Sequence, residues 1–108
     1  MNKIQSSHEW QNALTQSNEN PLFVMKHSAT CPISSAAYRE FDSYETDLQK
    51  HVLIVQDSRP VSKEIESDLG IRHESPQLFL LKNGEAIWQA THYAISKSKI
   101  KKAVAELL

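Results

Sequence analysis

Three short runs of the chain, Leu22-Phe23-Val24-Met25, Val52-Leu53-Ile54-Val55 and Leu78-Phe79-Leu80-Leu81, are apolar at every position. None is long enough for a helix, and the second is rich in β-branched residues, so each reads as a buried strand. The segments between them carry apolar residues at helical spacing. Ile33, Ala37, Phe41, Tyr44 and Leu48 lie on one face of a helix that Pro32 opens. Val61, Ile65 and Leu69 mark a second helix, opened by Pro60 and closed by Gly70 in a left-handed cap. Ser6 and Glu9 fit a capping box ahead of Trp10, Ala13 and Leu14. Asn83-Gly84 signals a hairpin whose return strand is Glu85–Gln89. A last helix carries Ile100, Ala103, Val104 and Leu107. The predicted order is helix, strand, helix, strand, helix, strand, strand, helix. Strand–helix–strand connections imply parallel pairing, and the hairpin adds an antiparallel edge. With 108 residues there is room for one domain, residues 1–108.

Composition excludes several functions. Glycine occurs only at positions 70 and 84, so a glycine-rich phosphate loop is ruled out. A net charge of −1 argues against a nucleic-acid partner. The one basic cluster, Lys97, Lys99, Lys101 and Lys102, reads as the solvated face of the last helix. No apolar stretch approaches the roughly 20 residues that span a bilayer, and no signal-peptide run precedes the first helix. The expectation is a cytoplasmic protein with no membrane partner, whose thiol stays reduced.

Cys31 is the only cysteine, which excludes an intrachain disulfide and a multi-cysteine zinc site. His8, His51, His73 and His92 lack metal-ligand spacing and read as surface or loop residues, so no metal site is expected. Cys31 follows a buried strand and opens a helix. The unpaired N–H groups and dipole of a helix N-terminus favour thiolate over thiol, and the thiolate is the species that attacks disulfides. The competing reading is a small buried apolar residue.

The order of elements, the Ser75-Pro76 junction and the segment Leu78-Phe79-Leu80-Leu81-Lys82-Asn83-Gly84-Glu85 resemble the thioredoxin-like superfamily. That resemblance implies an α/β fold, a central mixed β-sheet with a C-terminal β-hairpin flanked by about four helices. It also implies a cis proline at Pro76 facing the active cysteine. The active-site segment Thr30-Cys31-Pro32-Ile33-Ser34 is similar to the T-C-P-I-S core of the monothiol bacilliredoxins. This second resemblance implies that Cys31 removes bacillithiol, a low-molecular-weight thiol carrying a sugar and a malate, from mixed disulfides on client proteins. Bacillithiol is then a co-substrate, bacillithiolated proteins are the partners, no cofactor is tightly bound, and a monomer is expected.

Some residues depart from related patterns. Ser34 stands where a dithiol redoxin has its resolving cysteine, so dithiol chemistry is excluded. Ser28 stands where glutaredoxins carry a lysine, and Met25 where thioredoxins carry a buried acid. Ser34 either hydrogen-bonds the Cys31 thiolate from one turn on or caps the first turn. Thr30 serves as the helix N-cap or touches the bound thiol, and Pro32 lies beside it. Backbone groups at Ser75, with Pro76, are expected around Cys31. Lys26 is the cation nearest in sequence for the malate carboxylates, though its strand position can also turn it away. Tyr93 is either a wall for the sugar or an aromatic packed on the last helix. His27 either assists proton transfer or simply ends a strand. Ile87-Trp88 reads as sheet packing. The rival to an enzyme is a thioredoxin-like binding module that accepts bacillithiol or carries an iron–sulfur cluster with a small thiol. A cluster carrier is coloured as purified; an exchange enzyme is colourless.

Overall fold

The computed structural model describes residues 1–108. The elements run β1 (Asn2–Lys3), α1 (Ser7–Gln16), β2 (Leu22–His27), α2 (Pro32–Ser43), β3 (Gln49–Ile54), α3 (Arg59–Leu69), β4 (Gln77–Lys82), β5 (Glu85–Thr91), a short 3-10 helix (His92–Ala94) and α4 (Lys97–Leu107). The five strands form one mixed sheet in the order β1-β3-β2-β4-β5. β3 runs parallel to β1 and β2, whereas β4 runs antiparallel to both β2 and β5.

Alternation along each strand sorts the core into two layers. Leu22, Val24, Leu53, Phe79 and Leu81 face Trp10 and Ala13 of α1 and Val61 and Ile65 of α3. Phe23, Met25, Val52, Leu78 and Leu80 face Ala37 and Phe41 of α2 and Ile100 of α4. The apolar runs are continuous because helices cover both faces. The predicted caps form. Ser6 Oγ accepts from Glu9 N at 3.1 Å, and Gly70 closes α3 at φ 66. Asn83 and Gly84 both have positive φ, as a two-residue hairpin turn of this hand requires.

Several expectations are corrected. β1 is an added edge strand of only two residues, too short to leave a pattern, and it seats buried Ile4 beside Val52. α2 stops at Ser43, so Tyr44 and Leu48 lie beyond it, although both still pack on the α2 layer. Lys50 ends the helix there: its Nζ donates to the carbonyls of Phe41 (2.8 Å) and Asp42 (3.2 Å). Leu107 is exposed at the end of α4. The helix between β3 and β4 does not yield a parallel pair. Residues 70–76 carry the chain back to the edge where β2 ends, a distance that an extended loop of this length covers at roughly 3.3 Å per residue.

That reversal assembles the functional edge. Lys26 on β2 pairs with Leu53 on β3 and Gln77 on β4, and Gln77 pairs with Thr91 on β5. The segment leading to Cys31, the turn after β3, the Ser75-Pro76 junction and the 3-10 helix therefore all emerge at one end of the sheet.

Candidate active site

β2 ends at His27, and four residues later the chain enters α2. Cys31 itself is the N-cap, with φ −102 and ψ 123, and its thiol makes no cap hydrogen bond. Thr30 therefore does not cap the helix. Pro32 sits at N1, where a missing N–H costs nothing. The amides of Ile33 and Ser34 in the first turn have no intrahelical acceptor, so they stand ready for a negative atom at the cap. Cys31 is free and half-buried.

The loop before Cys31 is held from two sides. Gln56, just after β3, donates from Nε2 to Ser28 Oγ (2.8 Å) and Thr30 Oγ1 (3.2 Å), and its Oε1 accepts from Ala29 N (3.2 Å). From beneath, Ser34 Oγ accepts from Ser28 N at 2.9 Å and lies 2.7 Å from His27 Nδ1. The His27 ring packs against that of Tyr38 of α2, with centroids 4.9 Å apart and planes tilted by 37°. Ser34 is fully buried, and its hydrogen-bond partners are His27 and Ser28, not Cys31. Neither role considered for Ser34 from the sequence, thiolate contact or cap of the first turn, matches these bonds. It fastens α2 to the end of β2.

Across the edge, the Ser75–Pro76 peptide bond is cis. The Ser75 hydroxyl is buried without a hydrogen-bond partner. His92 N donates to Pro76 O at 3.2 Å, which ties the 3-10 helix to the proline junction. The next residue, Tyr93, is 79% exposed, so packing on α4 does not hold it.

Lys26 overturns an expectation. Its side chain is fully buried, with Nζ donating to Ser62 O of α3 at 2.9 Å and lying 3.1 Å from His73 Nδ1. Position 26 shares strand parity with Leu22 and Val24, so it points to the α1/α3 layer. It is not a surface cation that meets a carboxylate. His51, read as a surface or loop residue, is buried in β3, where it shares strand parity with Leu53 and faces the α1/α3 layer. His73 is a half-buried partner of Lys26. Gln56, Ser62 and His73 carry no motif, and spacing alone could not bring them to the site.

Burial pulls His27, His51 and His73 below the ordinary histidine value of 6.5; for His73 the charge of Lys26 adds to it. The folded protein thus resists protons that the unfolded chain accepts near pH 6.5. These groups' contribution to stability is full above about 6.5 and is lost as pH falls below it. Thermal melts between pH 7 and 5 should show a falling Tm on the acid side; a flat profile would contradict the burial argument.

A sheet of this order, whose sole thiol opens the helix after a central strand and whose neighbouring antiparallel strand begins at a cis proline, defines a thioredoxin-like thiol redox protein. Solved structures agree. A protein proposed to be an oxidoreductase with a thioredoxin fold is 38% identical, with a TM-score of 0.87 over 95% of this chain and 92% of its own. The Fasciola hepatica thioredoxin superposes with a TM-score of 0.78 over 98% of each chain at 7% identity, which shows the fold alone. Mitochondrial thioredoxin 3 from Saccharomyces cerevisiae gives 0.73 at 18% identity, over 99% of this chain and 95% of its own. Within that class, residues 2–100 match the family described as monothiol bacilliredoxin BrxC, and the chain belongs to the monothiol bacilliredoxin family.

Proposed function

We propose that the protein removes bacillithiol from mixed disulfides on client proteins. The observation that carries this reading is one free cysteine at a helix N-cap with a buried serine, not a second thiol, one turn on. The Cys31 thiolate attacks the bacillithiol sulfur of the mixed disulfide. The old S–S bond breaks, a new one forms to Cys31, and the client leaves as its thiolate. With Ser34 unable to resolve the adduct, a second bacillithiol thiolate attacks the bound bacillithiol sulfur. Bacillithiol disulfide departs and the Cys31 thiolate is restored. No net electron or proton source beyond the small thiol is needed.

The chain's own groups supply stabilisation and orientation. Amides of the first turn of α2 face the thiolate and the malate. Main-chain groups of Ser75 beside Pro76 pair with the disulfide's flanking backbone. Thr30 and Pro32 border the bound thiol, and exposed Tyr93 forms a wall for the sugar. Tyr93→Ala is expected to slow reaction with a bacillithiolated peptide about five-fold, the size of one lost aromatic contact. It should leave reaction with a small neutral disulfide nearly unchanged. Equal losses on both substrates, or none on either, would remove Tyr93 from the site. The reading as a whole requires the wild-type protein to prefer the bacillithiol mixed disulfide of a peptide over the cysteine mixed disulfide of the same peptide.

A further inference from the structure

Lys26 is a charged side chain in an otherwise apolar stretch of a central strand, buried completely. Burying an ammonium costs stability unless its hydrogen bonds are satisfied, and an apolar side chain here would avoid that cost. Such departures are expected where function needs them. No carboxylate lies within ion-pair distance of Nζ. Its hydrogen-bond partners are Ser62 O on α3 and His73 Nδ1 in the loop that leads to Ser75 and Pro76. An ammonium only donates, so the His73 contact requires a lone pair on Nδ1, with the ring proton on Nε2. Ser62 Oγ also lies 3.2 Å from that nitrogen.

The same loop is pinned further along. His73 N donates to a Glu66 carboxylate oxygen. Gln77, itself buried, accepts from Glu74 N at 3.1 Å and donates to Arg72 O at 3.1 Å. Lys26 is the only member of this set that reaches the loop from β2, the strand that leads to Cys31.

We propose that Lys26 is a positioning residue whose buried ammonium, through His73 and Ser62, tethers the 70–76 loop to β2 and so fixes the main chain of Ser75–Pro76 relative to Cys31. The proposal rests on the reading above that this main chain meets the disulfide. It gives the tether a working range of pH. A proton on His73 Nδ1 removes the acceptor and sets two cations about 3.1 Å apart. Burial and Lys26 hold His73 below its ordinary value, while Glu66 and Glu74 oppose that and Arg59 adds to it. Burial brings Lys26 down to about 8, with Glu66 opposing. The tether is therefore strongest between the acid limb of His73 and pH about 8. Above that, a neutral amine still donates, but without charge assistance.

The test uses the whole protein carrying Lys26→Met, read in three ways. Cys31 alkylation by iodoacetamide reports the thiolate alone and should change little. KM for a peptide mixed disulfide should rise about five-fold or more at nearly constant kcat, the effect of one lost positioning hydrogen bond. Amide exchange in residues 73–77 should accelerate. The wild-type KM should rise as the pH falls below 6.5; in a second variant, His73→Gln, the acceptor no longer titrates, so that rise should flatten. Unchanged KM and amide exchange in Lys26→Met would overturn the proposal. So would equal losses in alkylation and in thiol–disulfide exchange, which would place the effect at Cys31 or in the fold. Using bacillithiol and cysteine mixed disulfides of one peptide separates the two claims. A wild-type protein indifferent between them refutes the bacillithiol reading, while the tether is still read on both. If neither substrate turns over, amide exchange alone decides the tether.

Discussion

Cys31→Ser is expected to lower thiol–disulfide exchange by about 10³-fold or more, since no other side chain in the protein can form the covalent intermediate. The fold should not suffer. Position 31 is the N-cap of α2, and serine caps through its hydroxyl where the present thiol makes no such bond. Stability should hold or rise by about 0.5–1 kcal/mol. Loss of activity with an unchanged or higher Tm assigns the loss to chemistry. Residual exchange above that level would mean that another group carries the reaction.

Ser34→Cys is expected to change the reaction type. In a helix, side chains three residues apart lie about 5–6 Å from each other at Cβ, and a disulfide needs about 3.5–4.5 Å, so a small adjustment of the first turn closes the bond. The introduced thiol then attacks the Cys31 adduct and releases bacillithiol without a second small thiol. The reduced variant should be less stable by about 1–3 kcal/mol, because Ser34 Oγ accepts from Ser28 N and meets His27 Nδ1, and sulfur serves both poorly. Intact mass under mild oxidation reads the bond as a loss of two hydrogens. If no intramolecular bond forms, position 34 does not lie beside Cys31 as the structure places it.

The fold was legible where physics is local. Continuous apolar runs marked the central strands, Ser6, Pro32 and Gly70 marked helix ends, and Asn83-Gly84 marked the hairpin. Cys31 was legible for the same reason, as a strand–cysteine–helix junction. The direction of β4 was not, since it depends on how far the loop after α3 travels. Lys26 shows the limit most clearly. Sequence proximity to Cys31 suggested a ligand contact, yet strand parity turns the side chain toward α3. Counting from Leu22 and Val24 would have revealed that turn, but its partner His73 lies 47 residues away in a loop without pattern. For Tyr93 the sequence leaves a sugar wall and packing on the last helix both open, because it does not reveal that Tyr93 lies in a 3-10 helix of its own ahead of α4, with its ring exposed.

Bacillithiol transfer to Cys31 is the central claim. Intact mass spectrometry after mixing equal amounts of the reduced protein and a bacillithiolated client, with no free thiol present, measures it most directly. The account predicts one bacillithiol on this protein, located at Cys31 by fragmentation, and a client returned to its free thiol. Bacillithiol remaining on the client, or a client chain linked to Cys31 in its place, would contradict it.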